Sequence, residues 1–347
     1  MKKYAILLNP RHSRVYFEAS LKLSVAELTL ALSHAGHKDF EIIEESFGSV
    51  PYLCFRCQEP VNEKTLERLS RCSFTYALFE VCKTDGEPCF TPLSLPNPLY
   101  IDGGISCILK YSGKTNENFT RFMINLALFS SPFYGEKIKL LDPVAGKGTT
   151  LFEALSLGYD AYGIELSEKA AHDAFTYLKK YLEIERFKHR TGHETINIKE
   201  SSAGAKRVFA ELSRTKQEMK ENAVKRWEMV WGNSQYADSY FKKNSFHIMV
   251  GDLPYGVQHG NVSSSRQGSF TRSPKELVSL CAPSWHKVLK PNGVIALSWN
   301  SFVFSRQQFA KLLEDAGFSV FCGEIYESLE HRVDNSIKRD LILAKKL

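Results

Sequence analysis

The stretch Leu140-Leu141-Asp142-Pro143-Val144-Ala145-Gly146-Lys147-Gly148-Thr149-Thr150 decides the fold. It reads as a short apolar strand, a glycine turn, and the start of a helix. In an α/β sheet that junction is where a ligand sits, beyond the carboxyl end of the strand. Glycine at 146 and 148 lets the backbone come close to such a ligand. Two other phosphate-binding patterns are excluded. A P-loop needs glycine five positions before the Gly146-Lys147 pair, and Leu141 stands there. A dinucleotide fingerprint needs Gly or Ala at its sixth position, which is Leu151.

Outward from this turn, strands and helices alternate. Strands are expected at 138–141, 161–164, 228–231, 246–250 and 294–299. Helices are expected at 149–157, 168–185, 274–289 and 307–316, with Ser167 as a cap and Gly158 and Gly317 as stops. Such alternation predicts a doubly wound, mostly parallel sheet covered on both faces. A last antiparallel pair is expected from 318–326 and 340–345. Residues 1–97 read instead as a small α+β unit. It has a helix over 21–35 closed by Gly36, strands at 52–56 and 76–81, and a helix over 62–69 capped by Asn62. Pro92, Pro96 and Pro98 mark the boundary with a second domain over 98–347.

The 347 residues are 43% hydrophobic and 24% charged, which is ordinary globular composition. No run of about 18 apolar residues occurs, so no membrane span is expected. The apolar stretch near Met1 is too short for a secretory signal, and a cytoplasmic protein is expected. The eight cysteines are then expected as reduced thiols. Cys54 and Cys57 have ligand-like spacing but no second CxxC, so strand packing is expected and no metal site. Charge is concentrated. Between Arg186 and Arg226 stand eleven Lys/Arg against five Asp/Glu, a surplus equal to the chain's whole net charge of +6. This segment reads as a solvated helical insertion or as a footprint for a phosphate backbone.

Further strand ends carry chemistry. Glu165 ends the second strand, where a carboxylate can accept both hydroxyl hydrogens of a ribose. Asn233 follows the third, where an amide can read an adenine edge. Asp252-Leu253-Pro254-Tyr255 ends the fourth. A glycine turn, an acid, an amide and an acid-Pro-aromatic cluster thus come from four successive strands.

This set resembles the class I S-adenosylmethionine-dependent methyltransferases, over roughly residues 100–347. The resemblance implies a seven-stranded Rossmann-like sheet. It implies S-adenosylmethionine held by Asp142, Pro143, Gly146, Gly148, Thr149, Glu165 and Asn233. Asp252 to Tyr255 is similar to the (Asn/Asp)-Pro-Pro-(Tyr/Phe) motif of enzymes that methylate exocyclic or amide nitrogens, with Leu253 in place of the first Pro. An aryl amine has its lone pair delocalised into the ring. Two acceptors, here the Asp252 carboxylate and the Leu253 carbonyl, can hold its N–H groups so that the lone pair faces the methyl donor. Pro254 and Tyr255 complete the catalytic cluster, with Tyr255 available to stack on a flipped base. Aspartate at the first position is commoner in relatives acting on guanine, asparagine in those acting on adenine or glutamine.

Leu109-Lys110-Tyr111-Ser112-Gly113-Lys114-Thr115-Asn116-Glu117-Asn118 looks like the lead-in of THUMP-linked tRNA and rRNA guanosine N2-methyltransferases. Ala26-Glu27-Leu28 within the helix of 21–32 is similar to the start of tRNA guanosine methyltransferases in that group. The resemblance implies a tRNA or rRNA partner rather than DNA, and an N-terminal domain that binds RNA or is a reduced THUMP module. A complete THUMP module with its usual companion is longer than these hundred residues. An N6-adenine methyltransferase and a non-catalytic RNA-binding protein of the same fold are the alternatives. The Gly/Ser-rich stretch 256–272, with His259, Arg266 and Arg272, reads as a substrate loop or a plain surface loop. Lys147, Asn300 and Ser301 are minor pocket candidates.

Overall fold

The computed structural model describes residues 1–9, 14–107, 114–198, 204–255 and 273–347, with no side-chain description for 14–20. The described chain divides into two compact units, residues 1–98 with 323–331, and residues 99–322 with 332–347.

In the first unit β1 (Lys2–Leu8), α1 (Arg14–Ala35), β2 (Phe40–Phe47), β3 (Val50–Cys57), α2 (Glu63–Arg71), β4 (Thr75–Thr84) and β5 (Glu87–Leu93) succeed one another. The antiparallel sheet has the order β2-β3-β1-β4-β5. Asn62 caps α2, its side chain accepting from the Thr65 amide at 3.0 Å. Gly36 ends α1 with φ of +103°, a left-handed value that glycine adopts at little cost. Cys54 and Cys57 are fully buried in β3, and burial pushes the Cys54 thiol up to about 11. Strand β5 contains Pro88 and Pro92. It is an edge strand, the place in a sheet where a missing amide donor does least harm. The proline signal therefore begins inside a strand, one that the sequence reading took for a linker.

The second unit opens with α3 (Gly104–Cys107) and α4 (Glu117–Phe129). It continues through β6 (Lys139–Asp142), α5 (Thr149–Ser156), β7 (Asp160–Glu165) and α6 (Glu168–Ile184). Next come β8 (Lys188–Ile196), β9 (Ala205–Ser213), α7 (Lys216–Lys220), β10 (Lys225–Trp231), a 3-10 turn (Ser234–Tyr236) and α8 (Ala237–Tyr240). Then follow β11 (Phe246–Asp252), α9 (Pro274–Val288), β12 (Leu289–Asn300), α10 (Arg306–Asp315) and β13 (Phe318–Val320). Two short elements precede β15 (Lys338–Lys346): α11 (Glu324–Glu327), which belongs to the first unit, and β14 (His331–Arg332), which begins on that unit's last residue.

Seven strands take the order β13-β15-β12-β11-β6-β7-β10. From β12 to β10 every neighbouring pair is parallel, and β15 runs antiparallel to both β12 and β13. The doubly wound, mostly parallel sheet expected from the alternation is observed. Its central strands are mostly apolar because both faces are covered: Leu140, Leu141, Ala161, Met229, Val230, Ile248, Met249, Ile295 and Leu297 are all fully buried. Chain order reverses between β6 and β11, and the crevice beyond their carboxyl ends is where such sheets bind ligands.

Two expectations change. The described part of the insertion is mostly strand, with helix only in the short α7. Its strands β8 and β9 form a hairpin, and β9 pairs antiparallel with β10, extending the sheet edge. Gly192 lies under the Phe209 ring, where a Cβ would come within 2.4 Å of Phe209 Cζ. The last antiparallel pair is also shorter than expected. Of residues 318–326 Phe318–Val320 alone pairs with β15, and Tyr326 lies in α11. Among the described residues, no helix is long and apolar enough to cross a membrane.

Candidate functional site

Strand β6 ends on Asp142, which is 3% exposed. Its Oδ1 accepts the Val144 amide at 2.9 Å, which bends the chain out of the strand. Ala145 donates its amide to Ile164 O at 2.9 Å, tying the turn down to β7. Gly146 and Gly148 have φ of +53° and +83°, so both glycines serve conformations that side chains resist. The Gly148 amide donates to Ala145 O at 2.7 Å, and α5 starts with no side-chain cap. Strand β7 can pass beneath this turn only as glycine. A Cβ on Gly163 would lie 2.8 Å from that of Ala145.

Glu165, at the end of β7, clamps the turn from the other side. Its Oε2 accepts the Gly146 amide at 2.8 Å and its Oε1 the Ser167 amide at 2.7 Å. Burial raises its carboxyl above the usual range, against the pull of these amides. Burial also pushes Asp142 up to about 7, with the charges of Asp252 and Glu165 adding to it. A carboxyl raised in the folded state binds protons that the unfolded chain has already lost. It therefore costs stability as pH rises from about 4 to about 7. Asp142→Asn is isosteric and cannot ionise. Relative to wild type it should gain stability, by about 2 kcal/mol or less, on going from pH 5 to pH 8. Thermal melts at the two pH values check this, and an equal offset at both would remove the buried charge as the cause.

Strand β11 delivers Asp252, which the structure engages fully. Thr115 and Ser298 each donate a hydroxyl to it, to Oδ2 and Oδ1 respectively. The Tyr255 hydroxyl donates to both oxygens at 2.7 Å. Arg339 Nη2 lies 3.8 Å from Oδ2, and Arg339 Nε donates to the Tyr255 oxygen at 2.8 Å. The Tyr255 hydroxyl is held well above its ordinary value by burial first and by the Asp252 charge second. It is thus a neutral donor. The sequence reading placed Tyr255 as a stacking platform; here its ring faces the Arg339 guanidinium, 5.3 Å away.

These strand ends share one cleft of about 390 Å3. Asp142, Pro143, Gly146, Thr149, Glu165, Asn233, Asp252, Leu253, Pro254 and Tyr255 line it, as do Thr115 and Ser234. Gly148 does not. It faces inward, toward Phe152, Ala174 and Met229. Asn233 lines the cleft while its side chain caps the next turn, accepting the Gln235 amide at 3.0 Å. Three minor candidates have structural partners outside the cleft lining. Lys147 pairs with Asp173 at 3.0 Å, and Asn300 Nδ2 donates to Ser336 O. Ser301 donates to Lys338 O. His259, Arg266 and Arg272 lie outside the described residues, as does 109–113 of the lead-in. Thr115, from that lead-in, reaches Asp252 directly. Ser298 and Arg339 carried no motif and were missed. Arg339 lies in the charged strand start Lys338-Arg339-Asp340, where nothing local sets it apart. Among the described residues no cluster of three metal-ligating side chains occurs.

The chain matches no protein-family model and no curated protein. Among solved structures it is similar to TrmN from Thermus thermophilus, at 11% identity and a TM-score of 0.43, covering 100% of this chain and 99% of that one. It is also similar to RsmC, a T. thermophilus 16S rRNA N2 methyltransferase solved with AdoMet and guanosine. There identity is 16% and the TM-score 0.35, covering 89% of this chain and 58% of that one. A TehB-like SAM-dependent methyltransferase of Corynebacterium glutamicum matches at 12% identity and a TM-score of 0.34, covering 61% and 81%. The fold is Rossmann-like, of the methyltransferase type. Its evidence in this chain is the strand order itself, with the reversed β15 between β12 and β13. In this methyltransferase fold the hairpin β8–β9 is an addition at the sheet edge.

Proposed function

We propose that the protein binds S-adenosylmethionine in this cleft and methylates an exocyclic base amine of RNA, guanine N2 in tRNA or rRNA. The observation that carries the reading is the convergence of the ends of four strands adjacent in the sheet, β11, β6, β7 and β10, on one cleft. The residues fit the cofactor. Nothing lies within 4 Å of where a Cβ of Gly146 would stand, so the turn has room for a ligand against its backbone. Glu165 spends one acceptor position of each oxygen on backbone amides, and a carboxylate has about four, which leaves capacity for ribose hydroxyls. The cofactor would supply a methyl group already activated on a sulfonium; as the methyl passes to the amine nitrogen the S–C bond breaks, S-adenosylhomocysteine leaves, and the amine gives up one proton to the Asp252 carboxylate that holds its N–H.

The protein's task is then to present the amine. Asp252 and the Leu253 carbonyl accept its N–H groups, which turns the nitrogen lone pair outward. In the structure Thr115 donates to Oδ2, Ser298 to Oδ1 and the Tyr255 hydroxyl to both oxygens. The incoming amine takes the place of the Tyr255 hydroxyl, and the freed ring becomes a stacking surface for the base. Most of the rate comes from this positioning and from the fixed dipoles around the amine.

Two features favour RNA. The segment from Arg186 to Arg226, which includes the hairpin, carries a positive surplus equal to the chain's net charge of +6. Beside the hairpin a second cleft of about 700 Å3 is lined by Phe175, Trp231, Lys169, Lys206 and Arg207, and by Glu168 and Glu194, which pair with Lys206 and Arg207. Aromatic faces interleaved with cations suit stacked bases and their phosphates. The Lys206 ammonium sits 4.9 Å from the Trp231 ring centre. The test is tritiated methyl transfer onto tRNA, rRNA and DNA pools, with mass spectrometry of the nucleosides. N2-methylguanosine is expected from tRNA or rRNA. Methyladenosine overturns the guanine assignment, and no transfer to any pool overturns the activity.

A further inference from the structure

Arg339 is 6% exposed, yet it is charged, and it stands behind Tyr255 and Asp252, two residues of the cleft lining. It arrives from β15, where it pairs in register with Asn300 of β12. Its guanidinium carbon lies 4.4 Å from the centre of the Phe119 ring and 5.3 Å from that of Tyr255. The planar fork thus has two aromatic neighbours. From that position it donates to the Tyr255 oxygen and faces the Asp252 carboxylate.

A buried cation is a poor device for stability alone, since an apolar side chain of similar volume usually serves as well or better. Its placement suits another purpose. We propose that Arg339 is a positioning residue for methyl transfer: it sets the Tyr255 hydroxyl over the Asp252 carboxylate and supplies the countercharge that stays when the substrate amine replaces that hydroxyl. The role rests on the proposed reading of Asp252 as the acceptor of the amine. Arg339 acts through Asp252 and Tyr255. Lysine in its place keeps a charge but loses the fork that reaches both groups.

The test compares Arg339→Met, Arg339→Lys, Tyr255→Phe and the Arg339→Met/Tyr255→Phe double variant in the full chain. Arg339→Met should lower kcat on the RNA pool roughly 30-fold, as expected for a slightly misplaced reacting group. Binding of S-adenosylhomocysteine should stay within about threefold, and Arg339→Lys should recover only part of kcat. In the Tyr255→Phe background the Arg339→Met effect should shrink, because the two act as one unit. Independent additive losses, or equal loss of cofactor-analogue binding, overturn the proposal.

A second readout does not depend on turnover. With tyrosine labelled at 13Cζ, the Tyr255 resonance is identified by its absence in Tyr255→Phe. It should move in Arg339→Met, and an unmoved resonance overturns the proposal. A wild-type chain that transfers no methyl to any RNA pool overturns the proposed activity instead, and the Tyr255 resonance still decides the contact.

Discussion

Asp252→Asn should lower methyl transfer to RNA by about 10³-fold, at the upper end for loss of one fixed electrostatic group. The variant keeps the shape of the side chain and exchanges one acceptor oxygen for a donor NH2. In this site the exchange is severe. Three hydroxyls, of Thr115, Ser298 and Tyr255, already donate toward the carboxylate, and Arg339 faces it. The new NH2 group therefore meets donors on every side, and the incoming amine loses its anionic partner. Asp252→Ala is a harsher probe, because it leaves the buried Arg339 without its carboxylate, a change worth about 3–5 kcal/mol for buried pairs. Asparagine separates chemistry from folding more cleanly. Affinity for S-adenosylhomocysteine, read by calorimetry, should stay within about threefold, since the glycine turn and Glu165 are on other strands. A variant that loses the analogue as fully as it loses turnover would move Asp252 into the cofactor pocket. A variant with wild-type turnover would remove it from the reaction.

The parts of this site that could be read from the sequence are those whose residues are neighbours in the chain. The glycine turn is one, since Asp142, Gly146 and Gly148 fall within seven positions and their backbone conformations are local. The Asp252 to Tyr255 cluster is another. Ser298 and Arg339 were not legible for a physical reason. They reach Asp252 by lateral register: Asp252 pairs with Ser298 across β11 and β12, and Asn300 pairs with Arg339 across β12 and β15. Register is set by the packed sheet, and no local pattern announces it. The insertion failed differently. Its charge is legible in the chain, whereas β8 and β9 become strands by pairing with each other and with β10, and charge carries no period that announces such pairing. Tyr255 shows a third limit. Its residue type suited stacking, whereas its orientation depends on a hydroxyl finding Asp252 and Arg339 in a buried setting.

The cofactor side rests on Glu165, and Glu165→Ala should weaken binding of S-adenosylhomocysteine about 100-fold, or about 2.7 kcal/mol. Two losses combine in that figure. One is direct, the acceptor for ribose hydroxyls. The other runs through the backbone, because Glu165 accepts the Gly146 amide at 2.8 Å and the Ser167 amide at 2.7 Å, and so holds both the glycine turn and the start of α6. Without that clamp the left-handed Gly146 is free to relax, and its ordering must be supplied again by the ligand. Glu165→Gln distinguishes the two. One amide oxygen can still accept the Gly146 donor, so the turn is retained while the anionic acceptor is lost, and an intermediate loss of about tenfold is expected. The order wild type, Gln, Ala in calorimetric affinity is the expected result. Equal affinities in all three would place the cofactor elsewhere. If Gln were as damaging as Ala, the carboxylate's charge would matter and its grip on the turn would not.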